Sequence, residues 1–173
     1  MKNAKFAKIM KIMKNMPSGI SVYGSETWTL YAHEIKQLRT VQQRHLRSIL
    51  KIRWNDFVSN ETVLDRSNVD DIEILLAKNR LRWLGHVCRM GNERTVKSLL
   101  FGELNEGSRS VGRPKLRFKD NLKSILKKGN ILQSWSHSVQ NRPEWRSMIR
   151  SVSNAMNCSR KEKYARAKER RKR

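Results

Sequence analysis

Residues 76–90, LAKNRLRWLGHVCRM, set His86 and Cys88 two positions apart, between arginines and beside a tryptophan. Three chemistries use such residues. An imidazole can activate a thiolate, the pair can supply half of a metal site, or the basic neighbours can hold a nucleic-acid backbone. Helical spacing rules out the first. Each residue turns by about 100°, so His86 and Cys88 point roughly 200° apart and cannot share a proton. A lone histidine or cysteine on a largely apolar helix is usually a packed residue. Cys158, the other cysteine, lies seventy residues away with no C-x-x-C, so neither a zinc framework nor a disulfide scaffold is implied.

Asp70-Asp71 is a second tempting pair, because adjacent carboxylates hold metals in polymerases. Here they stand at a helix start, where acids favour the macrodipole and cap free N–H groups. Two-metal chemistry needs further carboxylates converging from other segments, and none is signalled. Capping is the better reading. The sequence therefore offers no catalytic residue, no metal ligand, no cofactor and no small-molecule substrate, and the chain is expected not to be an enzyme by itself.

The basic residues remain. On the helix through 70–90, Ile72, Leu75, Leu76, Trp83, Val87 and Met90 form one apolar stripe, while Ile74, Leu81 and Cys88 form a second. Lys78, Arg82 and Arg89 share the narrow sector left over. Clustered cations in a packed helix suit phosphate contacts, and a solvated charged face explains them equally well. In GSRSVGRPKLRFKD (107–120), Arg109, Arg113, Lys115, Arg117 and Lys119 make the densest positive loop-to-helix junction of the body. Its Gly-Arg-Pro is the core of minor-groove AT-hook peptides, but a glycine loop with Pro114 in the first helical turn accounts for it as well. Helix N-termini also favour anions, so this is the best single nucleic-acid contact region. Lys168, Arg170, Arg171, Lys172 and Arg173 fit a nuclear-localisation pattern, and a general electrostatic arm would look the same.

The whole composition points the same way. Thirty-eight Lys and Arg face fifteen Asp and Glu, a formal net charge of +23. The last sixteen residues hold nine basic and two acidic groups, a net of +7, which leaves +16 on the body. Such a surface repels itself unless a polyanion neutralises it. RNA or DNA is the expected partner, and an anionic membrane ranks second. The Trp residues 28, 54, 83, 135 and 145 could stack on bases, although core packing is the more usual role. No apolar run approaches the length of a membrane span and no secretory signal is evident, so a nuclear or cytoplasmic location is expected.

The elements that must position these groups are helical. Hydrophobic residues are 38% of the chain and charged ones 31%, which allows only a thin core. Residues 1–16 pattern as an amphipathic helix ending at Pro17-Ser18-Gly19, expected to dock onto the body, with lying on a membrane as the alternative. Residues 22–30 are β-prone. Helices are expected over about 31–52, after the Ser59–Asn60 cap signal, over 70–90 with an Asp70/Glu73 capping-box pair, near 93–101, from Pro114 to Gly129, and from Pro143 onward. The expected fold is all-α, an irregular basic domain of five to seven helices with a disordered basic C-terminal tail. The organisation is a divergent lysine-rich segment (1–21), a helical region (22–150) and a basic helix or tail (151–173).

Six motifs in order carry a resemblance: YGSETWTL (23–30), LRTVQQRHLRSILKIRWNDFVSNETVL (38–64), RLRWLGHVCRM (80–90), LLFGEL (99–104), GRPKLRFKDNLK (112–123) and RPEWRSMIR (142–150). Over roughly 22–150 the chain resembles the C-terminal region of LINE-type (non-LTR) retrotransposon endonuclease-reverse transcriptases. In that family an endonuclease nicks DNA and a palm domain with an aromatic-Ala-Asp-Asp motif copies RNA at the nick. This stretch is similar to the part beyond palm and thumb. Asp70-Asp71 do not match the palm motif, no endonuclease segment is expected before residue 22, and two distant cysteines cannot supply the zinc knuckle of some relatives. The resemblance thus carries no catalytic residue onto any position. It implies a region gripping template RNA or target DNA, which favours phosphate contact by Lys78, Arg82, Arg89 and the 109–119 cluster. Met1 and the divergent first twenty residues suggest a truncated copy. Docking on an intact reverse transcriptase, or a relic without function, are the alternatives.

Overall fold

The computed structural model describes residues 22, 24–102, 112 and 116–171. Its described residues are all-α: seven α-helices, two short 3₁₀ turns and no strand. The helices are α1 (Ala32–Ile49), α2 (Asn60–Ser67), α3 (Ile72–Cys88), α4 (Thr95–Phe101), α5 (Phe118–Lys128), α6 (Trp135–Ser138) and α7 (Arg142–Arg170). The amphipathic segment expected at 1–16 lies outside the described residues. The described residues divide into two compact units whose boundary falls inside α3, one holding 22, 24, 25 and 30–76 and the other 26–29 with those from 77 onward.

In the first unit α1 buries Leu38, Val41 and Leu46, spaced for one helical face, together with Glu34, Gln42 and Gln43. Glu34 accepts a hydrogen bond from the Tyr31 N–H at 2.7 Å, tying off the helix start. α1 and α2 pack through Leu46, Val63 and Leu64, with Leu50, Ile52, Val58 and Val69 around them. The Ser59 signal is realised: its hydroxyl accepts from the Thr62 N–H at 3.2 Å. α3 begins at Ile72, two residues later than expected, because its first N–H is capped from another element. Gln42 of α1 accepts from Ile72 N–H at 2.9 Å and donates to the Asp70 carbonyl at 2.8 Å.

In the second unit α3 buries one broad face through Ala77, Leu81, Leu84, Val87 and Cys88, which lie within about 120° of one another, so the two apolar stripes merge into a single buried face rather than packing on two sides. α5 and α6 both pack on α7. Trp145, 2% exposed, is the largest fully buried side chain, and its indole N–H donates to the Leu81 carbonyl at 3.0 Å. Gly85 makes room for it: a Cβ there would collide with the Trp145 Nε1. Trp83 meets Phe118 edge-on at 5.2 Å.

Three further expectations are corrected. The β-prone stretch holds a 3₁₀ turn, Ser25–Thr27, and no strand among its described residues. The Trp28 carbonyl accepts from the buried Arg80 guanidinium at 2.8 Å, which satisfies it without a ladder partner. The helix expected from Pro114 starts at Phe118 instead, with Asp120 accepting from the Arg117 N–H at 3.2 Å. The C-terminal tail is helix through Arg170 rather than disordered. Trp145, Ile149, Val152 and Met156 anchor its first half, and the remainder is rich in Arg, Lys, Glu and Ala, strong helix formers that extend an existing nucleus. A Glu162–Arg166 pair at 3.1 Å, four residues apart, supports the extension.

Candidate nucleic-acid interface

His86 is exposed and Cys88 buried, on opposite sides of α3 as the helical spacing requires. Burial pushes the Cys88 thiol up from its ordinary value, and the nearby Lys97 and Arg89 only partly oppose that. A protonated, buried thiol is a poor nucleophile. Among the described residues no group of three or more His, Cys, Asp or Glu side chains is placed to hold a metal ion.

Asp71 answers the question of the acidic pair. Its side chain is 2% exposed and receives Arg39 of α1 in a forked contact, Nε at 3.0 and 3.1 Å from the two carboxylate oxygens and Nη2 at 2.7 Å. Glu73 accepts from the same Nη2 at 3.1 Å. The Asp71 hydrogen bond is the main reason that Arg39 is held above its already high ordinary value. This carboxylate locks the start of α3 to α1. No sequence spacing signals a pair thirty-two residues apart.

The cations singled out on α3 do share a sector, since 78, 82 and 89 fall within about 40° of one another. Their surroundings differ. Arg82 is exposed and Lys78 half-buried, whereas Arg89 is half-buried with Nη1 donating to the Val139 carbonyl at 2.7 Å, at the C-terminal end of α6. Lys119 likewise donates to the Gly102 carbonyl at 2.9 Å, at the end of α4. Lys97, which the sequence reading passed over, reaches the Cys88 and Met90 carbonyls at 3.1 and 2.8 Å at the end of α3. Three cations thus each tie down the carbonyl end of a helix, where positive charge is favoured.

Arg117 is exposed and forms a two-point contact with Asp120, Nε to Oδ2 at 3.2 Å and Nη2 to Oδ1 at 3.1 Å. Gly112 sits at φ 115°, a conformation that requires glycine, so the loop reading of that position holds. Arg109, Arg113, Lys115, Lys172 and Arg173 lie outside the described residues. Lys168, Arg170 and Arg171 are all exposed at the end of α7.

That helix end is the most open basic surface described. From Cys158 through Arg170 every residue is exposed except the half-buried Arg160. Glu162 and Glu169 are seven apart and share one stripe. Arg160, Lys161, Lys163, Arg166, Lys168 and Arg170 are spread over roughly 220° of the remaining circumference. No helix among the described residues is long and apolar enough to cross a membrane.

Over 136 residues the chain is 26% identical to a protein of Caenorhabditis elegans described as uncharacterized and transposon-derived, a match covering 74% of this chain and 49% of that protein. The chain therefore spans about half the length of this relative. The similarity is consistent with a transposable-element origin. No protein-family model matches the chain, and no solved structure matches it significantly.

Proposed function

We propose that the chain is a non-catalytic part of a LINE-type retrotransposon reverse transcriptase and that it binds nucleic acid mainly through phosphate contacts. The observation that carries this reading is the exposed end of α7, where cations cover most of the helix surface and two glutamates are confined to one stripe. A helix of this kind presents charge to a polyanion from several directions and reads no particular base. Arg82 and Arg117 add exposed cations in the same unit. A net charge of +23 supplies the long-range attraction. The transposon-derived relative and the ordered motifs support the retrotransposon origin. RNA and DNA are both candidate ligands, and the cluster at 168–173 would also serve as a nuclear address.

The test is fluorescence anisotropy of the purified chain with labelled duplex DNA, single-stranded DNA and structured RNA, each at several salt concentrations. Affinity should fall steeply with salt, the logarithmic slope counting the phosphates neutralised. Changing Lys161, Lys163, Lys168 and Arg170 together to Ala should weaken binding and flatten that slope by roughly three to four. A chain that is helical by circular dichroism yet binds none of the three at low salt would refute the proposal.

A further inference from the structure

The loop between α1 and α2 carries the two most exposed aromatic rings among the described residues. Trp54 is 86% exposed and Phe57 87% exposed, and Ile49 at the end of α1 is exposed as well. This is not a slack loop. Leu50, Ile52 and Val58 alternate with the outward residues and pack beneath them on Leu46, Val63 and Leu64. The Ile52 N–H donates to the Arg47 carbonyl at 2.9 Å, and the Arg53 N–H donates to Asp56 at 2.7 Å. The Arg47 guanidinium spans the loop, donating to the Val58 carbonyl at 2.7 Å and to Asn60 at 2.9 Å.

Two residues of the loop hold left-handed backbone without being glycine, Lys51 at φ 53° and Phe57 at φ 49°. An anchored loop of strained backbone that turns a tryptophan and a phenylalanine into water is the opposite of what folding alone favours. The charge of the loop and of the helix that leads into it says what would cover the rings. Arg44, Lys51 and Arg53 are exposed, and Asp56, the one carboxylate between residues 44 and 58, already accepts the Arg53 N–H. A second copy of so basic a chain would be repelled.

We propose that Trp54 and Phe57 form a stacking platform for the unpaired bases of a single-stranded nucleic acid, with Arg44, Lys51 and Arg53 holding its phosphates. Aromatic faces interleaved with cations are the general means of gripping single strands without reading sequence, and bases inside a duplex cannot present their faces to such rings. The inference rests on the proposed function and specifies it: single-stranded RNA or DNA becomes the preferred ligand of this loop.

The test uses the full chain with labelled oligothymidylate, labelled duplex DNA and vesicles rich in phosphatidylserine. Trp54→Ala and Phe57→Ala should each weaken oligothymidylate binding by roughly 5- to 150-fold, the range found for removing one stacked ring. The loss should be larger for the single strand than for the duplex. It should also be the same at every salt concentration, because the ring carries no charge. Trp54→Phe should restore most of the affinity while abolishing the tryptophan quenching that accompanies binding. Leu132→Ala, at another exposed apolar side chain, is the control.

Oligothymidylate binding unaltered by both alanine variants would overturn the proposal and leave the phosphate-binding reading standing. So would a loss seen with vesicles and not with oligothymidylate, which would make the loop a membrane contact. A wild-type chain that binds no nucleic acid at low salt would remove both readings.

Discussion

Gly85→Ala is a substitution whose sign separates local propensity from tertiary packing. In the interior of a helix this change ordinarily stabilises by about 1 kcal/mol, because alanine loses less backbone freedom. Here the new methyl would land on the indole nitrogen of Trp145 and within 3.1 Å of Arg89 Nη1. The indole is fully enclosed and cannot swing aside without disturbing its neighbours. Overpacking of this kind costs about 1–3 kcal/mol. Displacing the ring also breaks its hydrogen bond to the Leu81 carbonyl, which for a buried donor left unpaired costs about 1–3 kcal/mol more.

Setting the propensity gain against these two costs leaves a net destabilisation of about 1–5 kcal/mol. For a chain of this length a loss of about 3 kcal/mol lowers the melting temperature by roughly 6–12 °C. Thermal unfolding followed by far-UV circular dichroism reads the change directly, with tryptophan emission as a second probe. The double variant Gly85→Ala with Trp145→Leu should be less destabilised than the sum of the two single ones, because the methyl then has space. A Gly85→Ala protein that melts at or above the wild-type temperature would refute this account of the Trp145 pocket.

Arg39→Ala should destabilise by about 1.5–3 kcal/mol, below the 3–5 typical of breaking a fully buried pair because the arginine is partly solvated; urea unfolding checks this, and adding Asp71→Asn should recover part of the loss. Arg82→Ala should lower the slope of affinity against salt by about one, whereas Arg89→Ala should lower the melting temperature through the lost contact to Val139. In the native protein the exposed Cys158 should react promptly with a thiol reagent and the buried Cys88 only on unfolding. Since burial raises the Cys88 thiol, the stability it lends is present below the ordinary thiol range and lost as pH rises through the raised value. Cys88→Ala should therefore flatten the alkaline limb of the stability curve.

The parts of this fold that were legible in the sequence are those with a local cause. Ser59 and Gly129 mark the helix ends they were expected to mark, and Leu81 and Cys88 of the second apolar stripe of α3 are buried as expected. Chemistry within one helix was equally readable, since rotation alone separates His86 from Cys88. What could not be read depends on partners distant in sequence. Nothing near Asp71 announces Arg39, nothing near Arg89 announces the Val139 carbonyl, and Trp54 differs from Trp145 only in what the rest of the chain covers. The tail misled for another reason. Its composition looks disordered taken alone, but it is the continuation of a helix already nucleated by Trp145, Ile149, Val152 and Met156.

The distribution of charge follows from how the few carboxylates are used. Glu34, Asp56 and Asp120 cap the starts of helices or turns, Asp71 and Glu73 hold Arg39, and Glu144 accepts the Ser138 hydroxyl. Each of these acids serves the fold locally, so it does little to neutralise the cations on the outer surface. Some cations are held in the same way, as Arg89, Lys97 and Lys119 close helix ends. The cations left facing water are spread over α1, the loop after it, α2, α3 at Arg82, α5 and α7. Removing Asp120 would therefore not simply add one positive charge. It would release Arg117 from this carboxylate and unravel the first turn of α5 together, and an Asp120→Asn variant should separate the two, because the amide can still accept from the Arg117 N–H while weakening its hold on the guanidinium. If Arg117 lies in the phosphate-contact surface, that variant should bind nucleic acid more tightly with a steeper salt slope and melt close to wild type. Tighter binding with no change in slope would mean that the guanidinium meets no phosphate.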